Sequence, residues 1–404
     1  MMLGEILDIE YKAWYSKQKF TKVGDNHTKD VIMNELSLFK QMSVEEYTLY
    51  MKWTHLNKAY PNKNNLFFKQ NILDQYVEAK IAKQNIWLPS DNINIDDYLN
   101  LEPEVILCDT IEKMKEWNIL RHFISTHSFK GIVGRRLNYI VRDKSTKKTL
   151  GIFCLSSDFL DLIPRDKHIG WDRATRAKKM INHTGVGSTI IPTQPFGFNC
   201  LGGKLLALLL ASKEVEQDWN EKYEDVLAGI TTTSLYGSFS QYNSLKHWKK
   251  MGKTTGEIKF NHTSKVFSAI KEWLLYNEPR FYFENFVSKL TTGRYGRGSA
   301  PNAMKKIYKC LDIKENAKSN HKRGIYWCAL YENTNDFLCE REPELKNRKF
   351  KGSVDSLIQL WKEKYVKKRV TNLIKGDRIN GDMLFYDDML ENDWETIKEK
   401  YLNF

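Results

Sequence analysis

An α/β fold is predicted by three observations. Apolar periods of strand type and helix type alternate through the middle of the chain, from about 137 to 234. A Gly-rich turn, Gln194-Pro195-Phe196-Gly197-Phe198, joins a strand-like run to an apolar helical run. Longer charged helical patterns flank this middle part on both sides. The 404 residues, 41% of them apolar, suffice for more than one domain. The composition shifts place boundaries near 104/105 and 256/257. They divide the chain into a helical N-terminal extension (1–104), an α/β core (105–256) and a basic helical or α+β C-terminal region (257–404).

The elements are expected in the following order. Ser43 is placed to cap a helix at Val44-Glu45-Glu46-Tyr47, with Glu46 at the capping-box position. A second helix is expected over 66–83, and the Asp/Asn-rich run 91–100 reads as a polar break. Between 109 and 126 the spacing of Met114, Trp117, Leu120 and Ile124 predicts a helix with one apolar face. Runs 137–142 and 149–156 alternate around a polar turn, which predicts a hairpin. A short basic helix over 173–181 follows Gly170-Trp171-Asp172. The strand 188–193 contains Pro192, which removes a ladder donor and predicts a bulge or a splayed edge. Asn199 is placed to cap a helix 199–211 that turns Leu205, Leu208 and Leu209 inward. A second strand is expected over 227–234, then a short helix carrying Tyr242, then a basic Gly/Thr loop over 248–256. Helices over 264–275 and 301–311 enclose a cationic loop, 291–298. A strand at 324–331, a basic run at 346–351 and a helix at 353–374 complete the reading. That last helix buries Leu357, Trp361 and Tyr365 and presents Lys364, Lys367, Lys368 and Arg369.

Sixty-three Lys and Arg stand against 50 Asp and Glu, a formal charge of +13. A basic surface draws phosphate backbones by releasing their counterions, so double-stranded DNA is the expected partner. Six cysteines show no C-x-x-C pair or regular spacing and read as buried hydrophobes of a reducing compartment. No metal set has ligand spacing. No apolar run is long enough to cross a membrane, and the N-terminus lacks an export pattern, so a cytoplasmic protein without a membrane partner is expected. A helix start behind a Gly-rich turn favours a pyrophosphate or carboxylate, since its amide groups are free; a plain tight turn is the alternative.

Several segments taken together resemble a known family. They are Trp117-Asn118, His127-Ser128-Phe129, the Tyr139 hairpin strand, Ile169-Gly170-Trp171-Asp172, Asn182, and Tyr242…Trp248…Gly252-Lys253-Thr254-Thr255-Gly256. Over roughly 105–256 they resemble the DruA family of Druantia anti-phage proteins and are similar to the Mom DNA-modification family of phage Mu. The resemblance implies a GNAT-like mixed sheet flanked by helices. It implies a transferase acting on a base amine of DNA, adenine in the Mom group, with acetyl-CoA or another acyl donor as cofactor. It puts Gln194, Gly197, Asn199, Gly202 and Gly203 where such a fold holds the donor's phosphates. Two departures stand out. The phosphate turn is incomplete, because Gly197 is followed by Phe198-Asn199, and the strand 230–235 carries hydroxyls where an acidic residue is usual.

Within that implied cleft His127 is the candidate base or ligand and Tyr242 the candidate proton donor. Ser234 stands in place of the missing carboxylate, and Asp172 orients a partner or anchors its turn, with Trp171 as a packing residue. Arg135, Arg136, Arg173, Lys253, Arg294, Arg297, Lys349, Lys368 and Arg369 are the expected phosphate contacts. Gly202→Asp is expected to abolish donor binding and spare the fold. A non-catalytic DNA-binding protein of a phage-defence or transposable-element system is the alternative. It is distinguished by a groove filled with Phe196 and Phe198.

Overall fold

The structure is a computed structural model. It describes residues 3–59, 84–90, 94–125, 134–235, 240–254, 260–292, 299–318, 322–349, 352–379, 389 and 392–402. The chain divides into two compact units, each built from distant parts of the sequence. One comprises 1–58 with 257–321, the other 59–256 with 322–404. The expected N-terminal extension therefore shares a unit with the first part of the C-terminal region.

The first unit is helical. Leu3–Tyr15, Asp25–Gln41 and Val44–Ala59 come from the N-terminal part, Ser264–Asn277 and Ser299–Cys310 from the later part. Ser43 caps as expected, accepting the Glu46 amide at 3.1 Å. Ile32, Leu36 and Phe39 recur at helical spacing and pack with Ile270, Trp273, Leu274 and Ile307. Glu35 is tied to His262 (2.6 Å) and accepts the Thr263 hydroxyl, while the second His262 nitrogen meets the Tyr308 hydroxyl at 2.6 Å. The 66–83 helix and the Arg294/Arg297 loop lie outside the described residues.

The second unit is α/β. Its seven described strands are β1 (Pro103–Leu107), β2 (Arg136–Asp143), β3 (Thr149–Ser157), β4 (Thr184–Pro192), β5 (Gly229–Ser234), β6 (Lys249–Lys253) and β7 (Gly324–Ala329). They form one mixed sheet in the order β1-β2-β3-β4-β5-β7-β6. β4 and β5 are parallel, and every other pairing is antiparallel. β1 is not predicted from the sequence, and β6 lies where a basic Gly/Thr loop is expected. β6 has only five residues, three of them lysine, so it lacks the apolar alternation by which strands are recognised.

One face of the sheet bears the main core. Leu137, Tyr139, Val141, Phe153, Leu155, Ile190 and Ile230 meet Leu205, Leu206, Leu208 and Leu209 of the helix Gly202–Leu209. Each such leucine contributes about 1.5–3 kcal/mol by leaving water. On the other face, Trp117, Leu120 and Phe123 of the helix Ile111–Ile124 cover Ile140, Ile152 and Cys154. The Ile169/Trp171 segment covers Ala228 and Trp327 further along. The helix expected at 199–211 is broken. A short helix ends at Asn199, Leu201 turns left-handed (φ 53°), and the main helix begins at Gly202. Leu201, not Asn199, is therefore the cap. The helices Ile163–Ile169 and Lys213–Tyr223 were not expected, nor was Ile95–Leu99 inside the polar break. The segment holding Tyr242 is a run of turns rather than a helix.

Asp143 closes the β2–β3 hairpin. Its carboxylate accepts the Glu102 amide (2.7 Å), the Ser145 hydroxyl (2.6 Å) and both the amide and the hydroxyl of Thr146 (2.9 and 2.7 Å). Burial alone would raise its pKa, but these donors outweigh it and hold the carboxyl below its usual range. A depressed folded-state pKa contributes stability that is present above the unfolded value and lost as pH falls through the folded one. Asp143→Ala is therefore expected to cost about 2–3 kcal/mol at neutral pH. The gap between mutant and wild type in urea melts should shrink as the pH is taken down through the carboxylate range. A pH-independent gap would refute the assignment.

Candidate functional site

The donor-side residues sit at the start of the helix Gly202–Leu209, on the core face. Pairing of β4 with β5 stops at Gly187 and Thr232. Beyond that point the chain's own side chains bridge the two strands. Gln241 Nε2 donates to the Ile190 carbonyl of β4 (3.2 Å) and to Tyr242 Oη (3.2 Å). Thr232 Oγ1 of β5 donates to the Gly187 carbonyl (2.9 Å) and lies 3.3 Å from Tyr242 Oη. Tyr242 packs on Trp248 and Tyr326, and burial raises its pKa. It therefore keeps its proton at neutral pH.

The two glycines serve close packing here. A Cβ on Gly202 would overlap the Phe196 ring, and one on Gly203 would overlap the Gln241 amide. Phe196 is fully buried between Trp87 and Trp361. Lys204 Nζ donates to the carbonyls of Gln241 (3.2 Å) and Asn243, which draws that segment onto the helix. Gln194 Oε1 accepts the Phe198 amide (3.0 Å), and Asn199 is buried. Phe198 is 36% exposed and lies 4.6 Å from the Arg369 guanidinium, which donates to the Phe198 carbonyl at 3.3 Å. Gln194, Gly197, Asn199, Gly202 and Gly203 thus do come together, but as a filled junction. Phe196 and Gln241 pack directly against the two glycines of the helix start at which a donor's pyrophosphate is expected.

The opposite face of the sheet is polar at its centre. The β3–β4 register shifts between Cys154 and Leu155, which leaves Ser188 as an extra residue in β4, and Ser188 is exposed in mid-strand. A bulge of this kind re-aims side chains within a sheet. Asn138, Cys154, Ser156, Thr189 and Thr231 share this face with it, all buried. The Ser188 hydroxyl acts on the Cys154 thiol and lowers its pKa. Burial pushes that thiol up to about 11, against the pull of Ser188, Arg136 and Arg121. Cys154 is protonated at neutral pH and is no nucleophile. Of these residues only Ser188 is exposed.

Beside it lies a buried ionic network that the sequence reading missed. Arg165 pairs with Asp158 (2.8 Å) and Asp166 (2.7 Å), with none of its side chain exposed. Asp158 accepts the Thr231 hydroxyl of β5 at 2.8 Å, and burial raises its carboxyl while Arg165 opposes the rise. Asp166 also accepts Trp171 Nε1 (3.0 Å), and Arg176 donates to the Trp171 carbonyl (3.2 Å) and pairs with Asp161 (3.1 Å). The Trp171 ring faces both guanidinium groups. One signal for this was present: Arg165 and Asp166 stand next to the Gly170-Trp171-Asp172 motif.

The remaining expected residues are spread over the unit. Asp172 caps the helix Arg173–Lys178, accepting the Thr175 amide at 2.7 Å, and this bond lowers its pKa. Ser234 is buried at the end of β5, on the Thr232 face. Arg135 is held by Asp225 and lies over the Tyr223 ring, Arg136 is half-buried, and Arg173 lies 3.3 Å from Asp161. Lys253, Lys349 and Lys368 are exposed. His127, Arg294 and Arg297 lie outside the described residues. Among the described residues no group of His, Cys, Asp and Glu is placed to hold a metal ion, and no helix is long and apolar enough to cross a membrane.

Comparison with known proteins gives two findings. A family model described as Druantia protein DruA matches residues 100–340. The Druantia protein DruA of Escherichia coli (strain UMEA 4076-1) is 28% identical over 236 residues, which cover 52% of this chain and 55% of that protein. The chain thus spans about half the length of that curated relative. No solved structure matches.

Proposed function

Because the chain belongs to the Druantia protein DruA family, we propose that it acts in phage defence by binding double-stranded DNA on a GNAT-like scaffold whose donor groove is closed. The strand order, with β4 and β5 parallel and parting, supports that scaffold. The scaffold runs from β1 to β7 and so extends beyond 105–256. The observation that carries the closed-groove reading is the junction of Phe196 on Gly202 and Gln241 on Gly203. The charge supports DNA. The helical stretch from Val354 to Lys375 buries Leu357, Trp361, Val366, Val370 and Leu373 and exposes Lys364, Lys367, Lys368 and Lys375. Among the described residues none of these lysines pairs with a carboxylate.

A second reading, modification of a DNA base in the manner of Mom, is favoured by one observation. The polar face around Ser188 suits a planar base turned out of the stack. In that reading His127 is the base, as the sequence proposes, Tyr242 belongs to the other face, and the donor is not acyl-CoA. Two measurements decide between the readings. Calorimetry with acetyl-CoA is expected to give no heat beyond dilution, while a labelled duplex binds at low salt and its nucleosides stay unchanged by mass spectrometry. Heat from acetyl-CoA would reopen the groove, an altered nucleoside would establish the second reading, and absence of duplex binding would remove the DNA claim.

A further inference from the structure

Four segments of the α/β unit bring cations together on one surface. Lys249 begins the edge strand β6, opposite Trp327 of β7. Lys349 lies beside the end of β7, its amide donating to the Leu330 carbonyl at 2.7 Å. His168 ends a helix that packs against β6 and β7, with Lys249 and Lys349 as the charges acting on it. His247 precedes the buried Trp248 and feels Arg348, Lys246, Lys349 and Lys364. Tyr365 Oη donates to the Ser244 carbonyl (3.0 Å), which ties the Lys364 helix to this segment.

Among the described residues none of Lys246, Lys249, Lys349 and Lys364 is ion-paired with a carboxylate. Arg348 is held by Glu216 at 2.7 Å, and after burial it is neighbouring cations that act on both imidazoles. Like charges within reach of one another oppose folding, and an anion lying across them removes that cost. Burial first, then the neighbouring cations, holds both histidines below their ordinary pKa, so at neutral pH the charge here is that of the lysines. Lys246, Lys249, Lys349 and Lys364 are exposed. A charged edge strand also discourages strand pairing. That role alone explains Lys249 but not Lys349 and Lys364, which lie on other elements.

We propose that Lys249, Lys349, Lys246 and Lys364 form one continuous track for the phosphate backbone of duplex DNA, with His168 and His247 between them. This rests on the DNA-binding reading and adds the face that does the binding. The track crosses the sheet edge and the loop before the Val354–Trp361 helix, so it grips DNA by backbone and not by base.

The test is duplex binding by fluorescence anisotropy across a salt series. It compares wild type, Lys249→Ala/Lys349→Ala and a control pair, Lys144→Ala/Lys213→Ala, which removes the same charge elsewhere on this unit. The track variant should lose at least tenfold in affinity at low salt. Its slope of log K against log salt should fall by about two, one per phosphate contact, with a melting temperature no lower than the wild type's. The control pair should keep the wild-type slope. A track variant with the wild-type slope, or an equal loss in both pairs, overturns the track and leaves DNA binding standing. A wild type that does not bind duplex overturns both.

Discussion

Arg165→Ala is expected to lower the stability of the α/β unit by about 3–5 kcal/mol, because it strands two buried carboxylates. Asp158 and Asp166 lose the guanidinium that lies between them, and neither can turn to water without dragging Thr231 or Trp171 along. Against a total stability of roughly 5–15 kcal/mol for a domain, this removes a large fraction of the whole. Asp158→Asn with Arg165→Met removes both charges. The double variant should be less destabilised than the sum of its single substitutions by about 0.5–3 kcal/mol. Urea melts of the four proteins in this cycle measure the coupling. Strict additivity would show that the pair is bystander chemistry.

Gly202→Asp is expected to cost about 3 kcal/mol or more, by placing both bulk and charge beneath the Phe196 ring. The sequence alone implies the opposite, a folded protein that has lost its donor. The difference comes from Phe196, which the sequence can only place in a turn but which packs without exposure against Trp87 and Trp361. Gly202→Ala introduces the overlap without the charge and should cost about 1–3 kcal/mol. Adding Phe196→Leu to Gly202→Ala should return part of that loss. A Gly202→Asp protein that melts with the wild type would mean that the helix start is open after all.

Local patterns carried much of the fold. The 3.6-residue period that turns Trp117 and Leu120 inward was legible, as were the alternation of β2 and β3 and the apolar run of β7. The Ser43 cap was also legible, because capping chemistry is decided within four residues. What escaped was decided by distant partners. β6 is a strand because β7, some 70 residues later, pairs with it. The Gly-rich turn reads as a phosphate cradle until Gln241 and Phe196 are seen to fill it. Asp172 was legible as a turn anchor but not as a helix cap, while Asp158 carries no pattern and acquires meaning only through Arg165. Lysines as far apart in the chain as 246 and 364 form one track only in three dimensions.

The place of β7 in the sheet has a consequence for synthesis on the ribosome. β7 lies between β5 and β6, yet it is made after the whole of 257–321, which belongs to the other unit. At about 5–20 residues per second, β5 and β6 wait roughly 4–15 s for the strand that joins them. During that interval β5 offers an open backbone edge to any nascent chain nearby, while β6 is guarded by Lys249, Lys250 and Lys253. The sheet therefore closes last beside its β6 edge, and the helical insertion sets the delay.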